Sequence, residues 1–266
     1  YILVNTWIKH IVRFKNRVFS AATVDTIILL LEKTESPGMV SVLEAENTDN
    51  NIGKTNEIRT SDQQSLVNTD QNRIEIRQST NEESILTNIW NFSIELSEVV
   101  DVSIGIQAYG QDDHTTEQIE NRIFHADHKA SENHLPELSG RDVSRYQVEH
   151  DNETWVEYGE HLHREREERY FTGPRILVRE ITGDGPYRIH AAYTGQDYVN
   201  YKTILSIVPK SQYKPQYIVA ALNSKIVSWV FLRTSNKIVT DTFPRISLDD
   251  IESLPLPKIT FGVTKP

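Results

Sequence analysis

Cations and aromatic rings recur in the second half of the sequence at spacings suited to capturing anions. Arg175 and Arg179 are an even number of residues apart, so a strand would put both on one face. Arg188 follows, and Tyr201 and Lys202 stand just before another apolar run. A guanidinium presents a planar fork of donors that fits two phosphate oxygens or the O6/N7 edge of a guanine. Gly140-Arg141-Asp142 reads as a turn in which the glycine allows close backbone approach and Arg141 can reach such a group. The alternative is a surface Arg141–Asp142 pair, with the strand arginines on a solvated sheet face. Lys237, Thr242 and Arg245 follow in a loop and suit contact with phosphate oxygens.

Other groupings carry less chemistry. His161 with His163, and His125 with His128, lie in polar surroundings and lack the HExxH spacing of a catalytic zinc site, so they read as surface histidines and no metal is expected. Asp112/Asp113 with Asp127-His128-Lys129 resembles a nuclease D…DxK pattern only in outline, and it falls in a loop-like stretch. The absence of cysteine excludes disulfides and thiolate metal sites and fits a cytoplasmic protein. No apolar run approaches the roughly 18 residues that cross a membrane, so no membrane partner is expected. The chain opens on Tyr1 inside an apolar pattern, as a segment of a longer protein would.

The net charge of −10 argues, taken whole, against a polyanionic partner. The charge is uneven, however. Residues 34–170 hold 11 Lys/Arg against 29 Asp/Glu, whereas residues 171–246 hold 10 against four. A ligand responds to the local field within about a Debye length, roughly 8–10 Å, so the basic block outweighs the total.

The elements that must position these groups follow from periodicity. Trp7, Ile8, Ile11 and Val12 have helical spacing, and Thr26–Leu31 reads as a buried strand. Residues 34–82 are rich in Asn, Thr, Asp, Glu and Gln and read as connector, with Ile74-Glu75-Ile76 as one short strand. A second folded unit is expected from about residue 83. It holds strands at 101–106, 155–158, 175–179 and 203–208, and a turn at Gly183-Asp184-Gly185-Pro186. A charged helix is expected over 161–170 and an amphipathic one over 216–233, with Asn223 and Ser224 in its middle. Ser247 and Asp250 have capping-box spacing ahead of a short helix, and Leu254-Pro255-Leu256-Pro257 must be extended. Strands mixed with helices, without a βαβ repeat, give an α+β class with a mixed or antiparallel sheet and packed helices.

Six pieces stand in order along the chain: Arg17-Val18-Phe19 with Ala22–Ile28, Ile104–Gly110, Leu138–Val143, Phe171–Val178, Ala221-Leu222-Asn223-Ser224-Lys225, and Leu254–Pro257. Together they resemble the TaqI-like C-terminal specificity domain that follows the catalytic domain of bacterial adenine-N6 DNA methyltransferases, including type IIG restriction-modification enzymes. The first looks like the last block of the catalytic domain.

The resemblance implies residues 1–33 as the tail of an α/β methyltransferase domain, 34–82 as a polar connector or insertion, and 83–266 as a target-recognition domain with the DNA methylase specificity-domain fold. It implies double-stranded DNA and the methyltransferase domain of the same polypeptide as partners. S-adenosylmethionine is implied in the parent and no cofactor in this chain. Phe19 stands where the family has an aromatic residue that stacks on a flipped base, though it also reads as a core aromatic. The family's Asn/Asp-Pro-Pro-aromatic loop is missing, since no Pro-Pro pair occurs, so this chain is not expected to methylate DNA alone. The competing expectation is a protein-interaction module of a bacterial defence enzyme, its acidic stretch turned to a partner protein.

Overall fold

The computed structural model describes residues 2–15, 18–19, 26–34, 38–48, 51–64, 79–150, 153–210, 213–235 and 245–258. The chain divides into two compact units, Tyr1–Asn91 and Phe92–Pro266.

The first unit is built on a four-stranded sheet of order β2-β1-β3-β4, comprising β1 (Trp7–Phe14), β2 (Ile27–Glu32), β3 (Met39–Thr48) and β4 (Asn51–Asp62). Strand β1 runs parallel to β3 and antiparallel to β2. The helix expected at Trp7–Val12 is therefore a strand. Its register with β2 shifts between Ile8 and His10, so a bulge brings Ile8 and Ile11, an odd number apart, to the same buried face and mimics helical spacing. Both pack on Val40 and Val42. Strand β2 forms as expected but is not buried: Ile27–Leu31 are all exposed, at 39–51% of their accessible surface.

The stretch expected to be connector contains the long β3–β4 hairpin instead. Its inward residues Val40 and Val42 are too few for a composition reading to register, and its polar outer face reads as loop. Gln63 closes the unit from within, accepting from Ile8 N and donating to the carbonyls of Leu3 and Thr6. A helix, α1 (Thr80–Asn91), ends the unit. Ile74–Ile76, Arg17 and residues 22–25 lie outside the described residues.

The second unit centres on an antiparallel sheet of order β13-β12-β15-β6, comprising β6 (Val100–Ile104), β12 (Arg175–Arg179), β13 (Ala191–Thr194) and β15 (Ile204–Pro209). Alternation on β12 sends Ile176 and Val178 to one core and Leu177 to another, so this strand is covered on both faces. On the first face lie helices α2 (Pro215–Leu222), α3 (Lys225–Thr234) and α4 (Leu248–Glu252), through Ile218, Leu222, Phe231 and Ile251. On the other lie Leu138 and Val143.

A second sheet, β14-β8-β11-β7, comprises β7 (His125–Ala126), β8 (His134–Leu138), β11 (Trp155–Glu157) and β14 (Val199–Asn200), and two short pairs join β5 (Ser93–Glu95) to β16 (Pro255–Pro257) and β9 (Val143–Ser144) to β10 (Gln147–Val148). Its strand β14 runs parallel to β8. The α+β class with mixed and antiparallel sheets stands.

Two helices differ from expectation. The run His161–Tyr170 holds only a 3₁₀ turn at Glu168–Tyr170. Leu162 and Tyr170 are its buried anchors, too far apart to make an apolar stripe, and Arg164 exchanges backbone bonds with Gln107 instead. The helix expected over 216–233 breaks at Asn223-Ser224. Asn223 is buried, and its side chain accepts from Ala191 N (3.0 Å) and donates to Ala191 O (2.7 Å). It thus pairs with the edge of β13 as another strand would, sharing Ala191 O with Tyr146 N (2.9 Å). Ser224 Oγ accepts from Val227 N and caps α3. The capping box at Ser247 and Asp250 and the extended Pro255–Pro257 form as read.

Candidate nucleic-acid interface

Two connections meet where β8 and β14 end side by side. Glu137 and Leu138 pair with Val199 and Asn200, so the segments that follow, Ser139–Asp142 and Tyr201–Thr203, leave the sheet together. Tyr201 N donates to Leu138 O (2.9 Å) and Gly140 N to Thr203 Oγ1 (3.0 Å). The strand before this junction is pinned through Gly105, where a Cβ would run into the carbonyl oxygens of Asn200 and Tyr201.

Within the first segment, Asp142 Oδ2 accepts from Ser139 N (2.6 Å) and Ser139 Oγ (2.8 Å), closing a 3₁₀ turn over Gly140–Asp142. Asp142 is therefore engaged by its own turn, and the surface Arg141–Asp142 pair is not made. Arg141 is exposed and has no ion pair or hydrogen bond among the described residues.

A cleft opens on either side of this ridge, and Ser139, Arg141 and Tyr201 border both. One, of about 640 Å³, has Arg179, Thr182, His190 and Thr203 in its wall. Its Arg179 donates Nε to Ile181 O (2.7 Å). Thr182 Oγ1 and His190 Nδ1 are buried there without a partner among the described residues. Burial, then the charges of Arg179 and Arg145, hold the His190 imidazole below its ordinary pKa. The other cleft, of about 660 Å³, has Tyr109, Arg122, His125 and Glu137 in its wall. Two adjacent concavities with a free cation and a phenol on the rim can take an extended polyanion across the ridge and a flat polar group in either hollow.

The structure brings Gly140, Arg141, Asp142, Arg179 and Tyr201 together, and Lys202 stands beside them with its Nζ 5.6 Å from the Tyr201 ring centre. It does not bring the rest. Arg175, expected on the outward face with Arg179, is wholly buried. Its Nη1 donates to Gly173 O (3.0 Å) and Gln196 O (2.8 Å), and its Nη2 to Tyr198 O (3.0 Å). Burial pulls its pKa down to about 10. The alternation argument fails because β12 is covered on both faces, so Arg175 is an anchor for two loops.

Arg188 is half-buried, donates to Gly183 O (3.3 Å) and borders neither cleft. Arg245 is exposed, with Nη1 3.6 Å from Glu180 Oε1. Lys237 and Thr242 lie outside the described residues. Phe19, in the first unit, is exposed and so is not a core aromatic.

Sequence reasoning missed Tyr109, Glu137 and the strand His134–Leu138 that carries Glu137. Pro136 inside that strand cannot donate to a ladder and argued against it.

Residues 135–256 match the model of the TaqI-like C-terminal specificity domain, and residues 1–117 that of the N-6 DNA methylase. A Methanocaldococcus jannaschii chain named as a type II restriction enzyme and methyltransferase is 28% identical over 134 residues, covering 49% of this chain and 11% of that relative. The solved structure of the type IIL restriction-modification enzyme MmeI in complex with DNA aligns over 94% of this chain and 34% of its own, at 9% identity and a TM-score of 0.49. The type IIG restriction endonuclease BpuSI aligns over 97% and 37%, at 11% and 0.48. The chain thus spans a small part of each.

Proposed function

We propose, from the premise that residues 135–256 are a TaqI-like C-terminal specificity domain, that this chain is the DNA-recognition part of a restriction-modification adenine-N6 methyltransferase and holds duplex DNA for a catalytic domain elsewhere in the same polypeptide. The observation that carries this is Arg141, exposed and without a partner among the described residues, on a ridge between two clefts, with Arg179, Tyr201 and Lys202 beside it. Cations displayed without carboxylate partners release condensed counterions when they meet phosphates, and that release drives association. Hydroxyls and amides in the cleft walls then supply contacts to base edges.

The bare strand β2 supports a protein partner for the first unit. Both faces of Ile27–Leu31 are open, which in an aqueous protein calls for a cover, and the methyltransferase domain supplies one. S-adenosylmethionine, the methyl donor of the parent, carries a net positive charge from its sulfonium and ammonium, which Arg141 and Arg179 on this cleft disfavour. The donor site belongs to the catalytic part, and the second unit's task is positioning.

Retention of the chain on random-sequence duplex DNA at low salt tests the reading. Binding should fall steeply as salt rises, with a log–log slope near −0.9 for each phosphate neutralised. Absence of binding at low salt would favour a protein-interaction module.

A further inference from the structure

Behind the Arg122 side of the ridge lies a polar chain that the phosphate grip does not use. Tyr109 Oη accepts from Phe124 N (2.9 Å) and lies 2.8 Å from His125 Nδ1. A carboxylate only accepts, so His125 Nε2 donates to Glu137 Oε2 (3.1 Å), and a neutral imidazole then takes the Tyr109 proton on Nδ1. Tyr109 is fixed further by the Phe124 ring stacked on it, with centroids 5.2 Å apart. The carboxylate at the end of this chain is oriented, 92% buried on its 8% side-chain exposure, and has its Oε1 unpartnered among the described residues. A buried acceptor in this state is costly until a donor arrives. All three side chains border the 660 Å³ cleft, and Arg122 stands in the same wall with a φ of 47°, in the left-handed region that favours glycine.

Resting on the DNA-reading function above, we infer that this cleft is a base-reading pocket in which Glu137 accepts a hydrogen bond from the exocyclic amino group of a cytosine or adenine. The chain from Tyr109 through His125 fixes which hydrogen-bonding character the pocket presents. A carboxylate accepts and cannot donate, so it rewards the N4 amino of cytosine or the N6 amino of adenine and leaves a guanine O6 or thymine O4 facing an unpaired acceptor. His125, held with its proton on Nε2, requires an acceptor from residue 137. In Glu137→Gln the amide oxygen that keeps the bond from His125 leaves its NH₂ to the cleft, which converts the pocket from acceptor to donor. Glu137 is a specificity residue and Tyr109 and His125 are positioning residues.

The test is selection from random-sequence duplex DNA at low salt with the full chain and with E137Q, followed by sequencing of what is retained. The readout is the identity of the selected base in each pool, independent of the total DNA retained. The native chain should enrich cytosine or adenine at one position, and E137Q should shift that position toward guanine or thymine by about tenfold or more. Glu137→Asp, which keeps the charge on a shorter stem, should keep the base identity with weaker discrimination and covers the case in which E137Q does not fold. An unchanged motif in E137Q, or retention by the native chain without any motif, overturns the pocket and leaves the DNA-binding function standing. Failure of the native chain to retain DNA overturns both.

Discussion

Two arginine sites in the second unit make opposite use of the same side chain. At the start of β12, Arg175 is sealed from water and gives its donors to three carbonyls from Gly173, Gln196 and Tyr198. On the ridge, Arg141 faces solvent with no partner for its donors among the described residues. A guanidinium surrounded by carbonyl oxygens in a dry site is part of the fold, while one displayed without partners is available to a ligand. The difference lies in whether the carrying segment is covered on both faces, as β12 is, or leaves the sheet, as residues 139–142 do. Stability should follow the first arginine and affinity the second.

The sharpest way to break this comparison is Arg175→Ala. It takes the donor away from three carbonyls and empties a large buried volume, so the expected cost is about 3 kcal/mol or more of unfolding free energy, read by denaturant melts. Arg175→Lys should recover only part, because a single ammonium cannot reproduce the fork that reaches two loops. Equal stability of R175A and the native chain would mean that Arg175 is not a fold anchor. Next in size is Asn223→Ala, which removes both side-chain bonds to Ala191 and leaves its buried N–H without that partner, at about 2 kcal/mol. Asn223→Asp should be at least as damaging, because it cannot donate to Ala191 O.

How far these roles could be read from the sequence follows the same division. The strands at 175–179 and 204–209, the cap at Ser247 and the turn at 140–142 were legible, because each is set by local pattern. Arg141 was legible as a cation on a turn for the same reason. Arg175 was not, since the carbonyls of Gln196 and Tyr198 that hold it lie 21 and 23 residues further along the chain. Asn223 was visible as an oddity within a helical pattern, but its pairing with Ala191 is a long-range contact. The triad of Tyr109, His125 and Glu137 comes from three separate elements, one of them a strand carrying a proline, and no spacing rule reaches across them. Strand β2 shows the converse. Its apolar run predicts burial, and the cover is not within the described residues of its unit.

On the ridge, Arg141→Ala should leave stability within about 0.5 kcal/mol and lower affinity for duplex DNA at all sequences alike, while reducing the magnitude of the salt slope by about 1. Titrations at several salt concentrations read both quantities. A change in the selected motif without a change in slope would make Arg141 a base reader rather than a phosphate contact.

The smallest expected effect comes from His190, in the cleft beside Arg179. Burial and the neighbouring Arg179 and Arg145 hold its pKa below the ordinary 6.5. An unfolded chain therefore binds a proton that the folded chain refuses over the interval between the folded and unfolded values. Its contribution to stability is present above 6.5 and declines as pH falls from there toward the folded pKa. His190→Gln removes this dependence, so the stability of H190Q should change less than that of the native chain between neutral and mildly acidic pH. An identical pH profile for the two would place the acid sensitivity elsewhere. Phosphate bound across Arg141 and Arg179 would reverse the sign locally, because an anion beside the ring raises its pKa. DNA should therefore protect the native chain against acid more than it protects H190Q, and that difference joins the stability of the cleft to its occupancy.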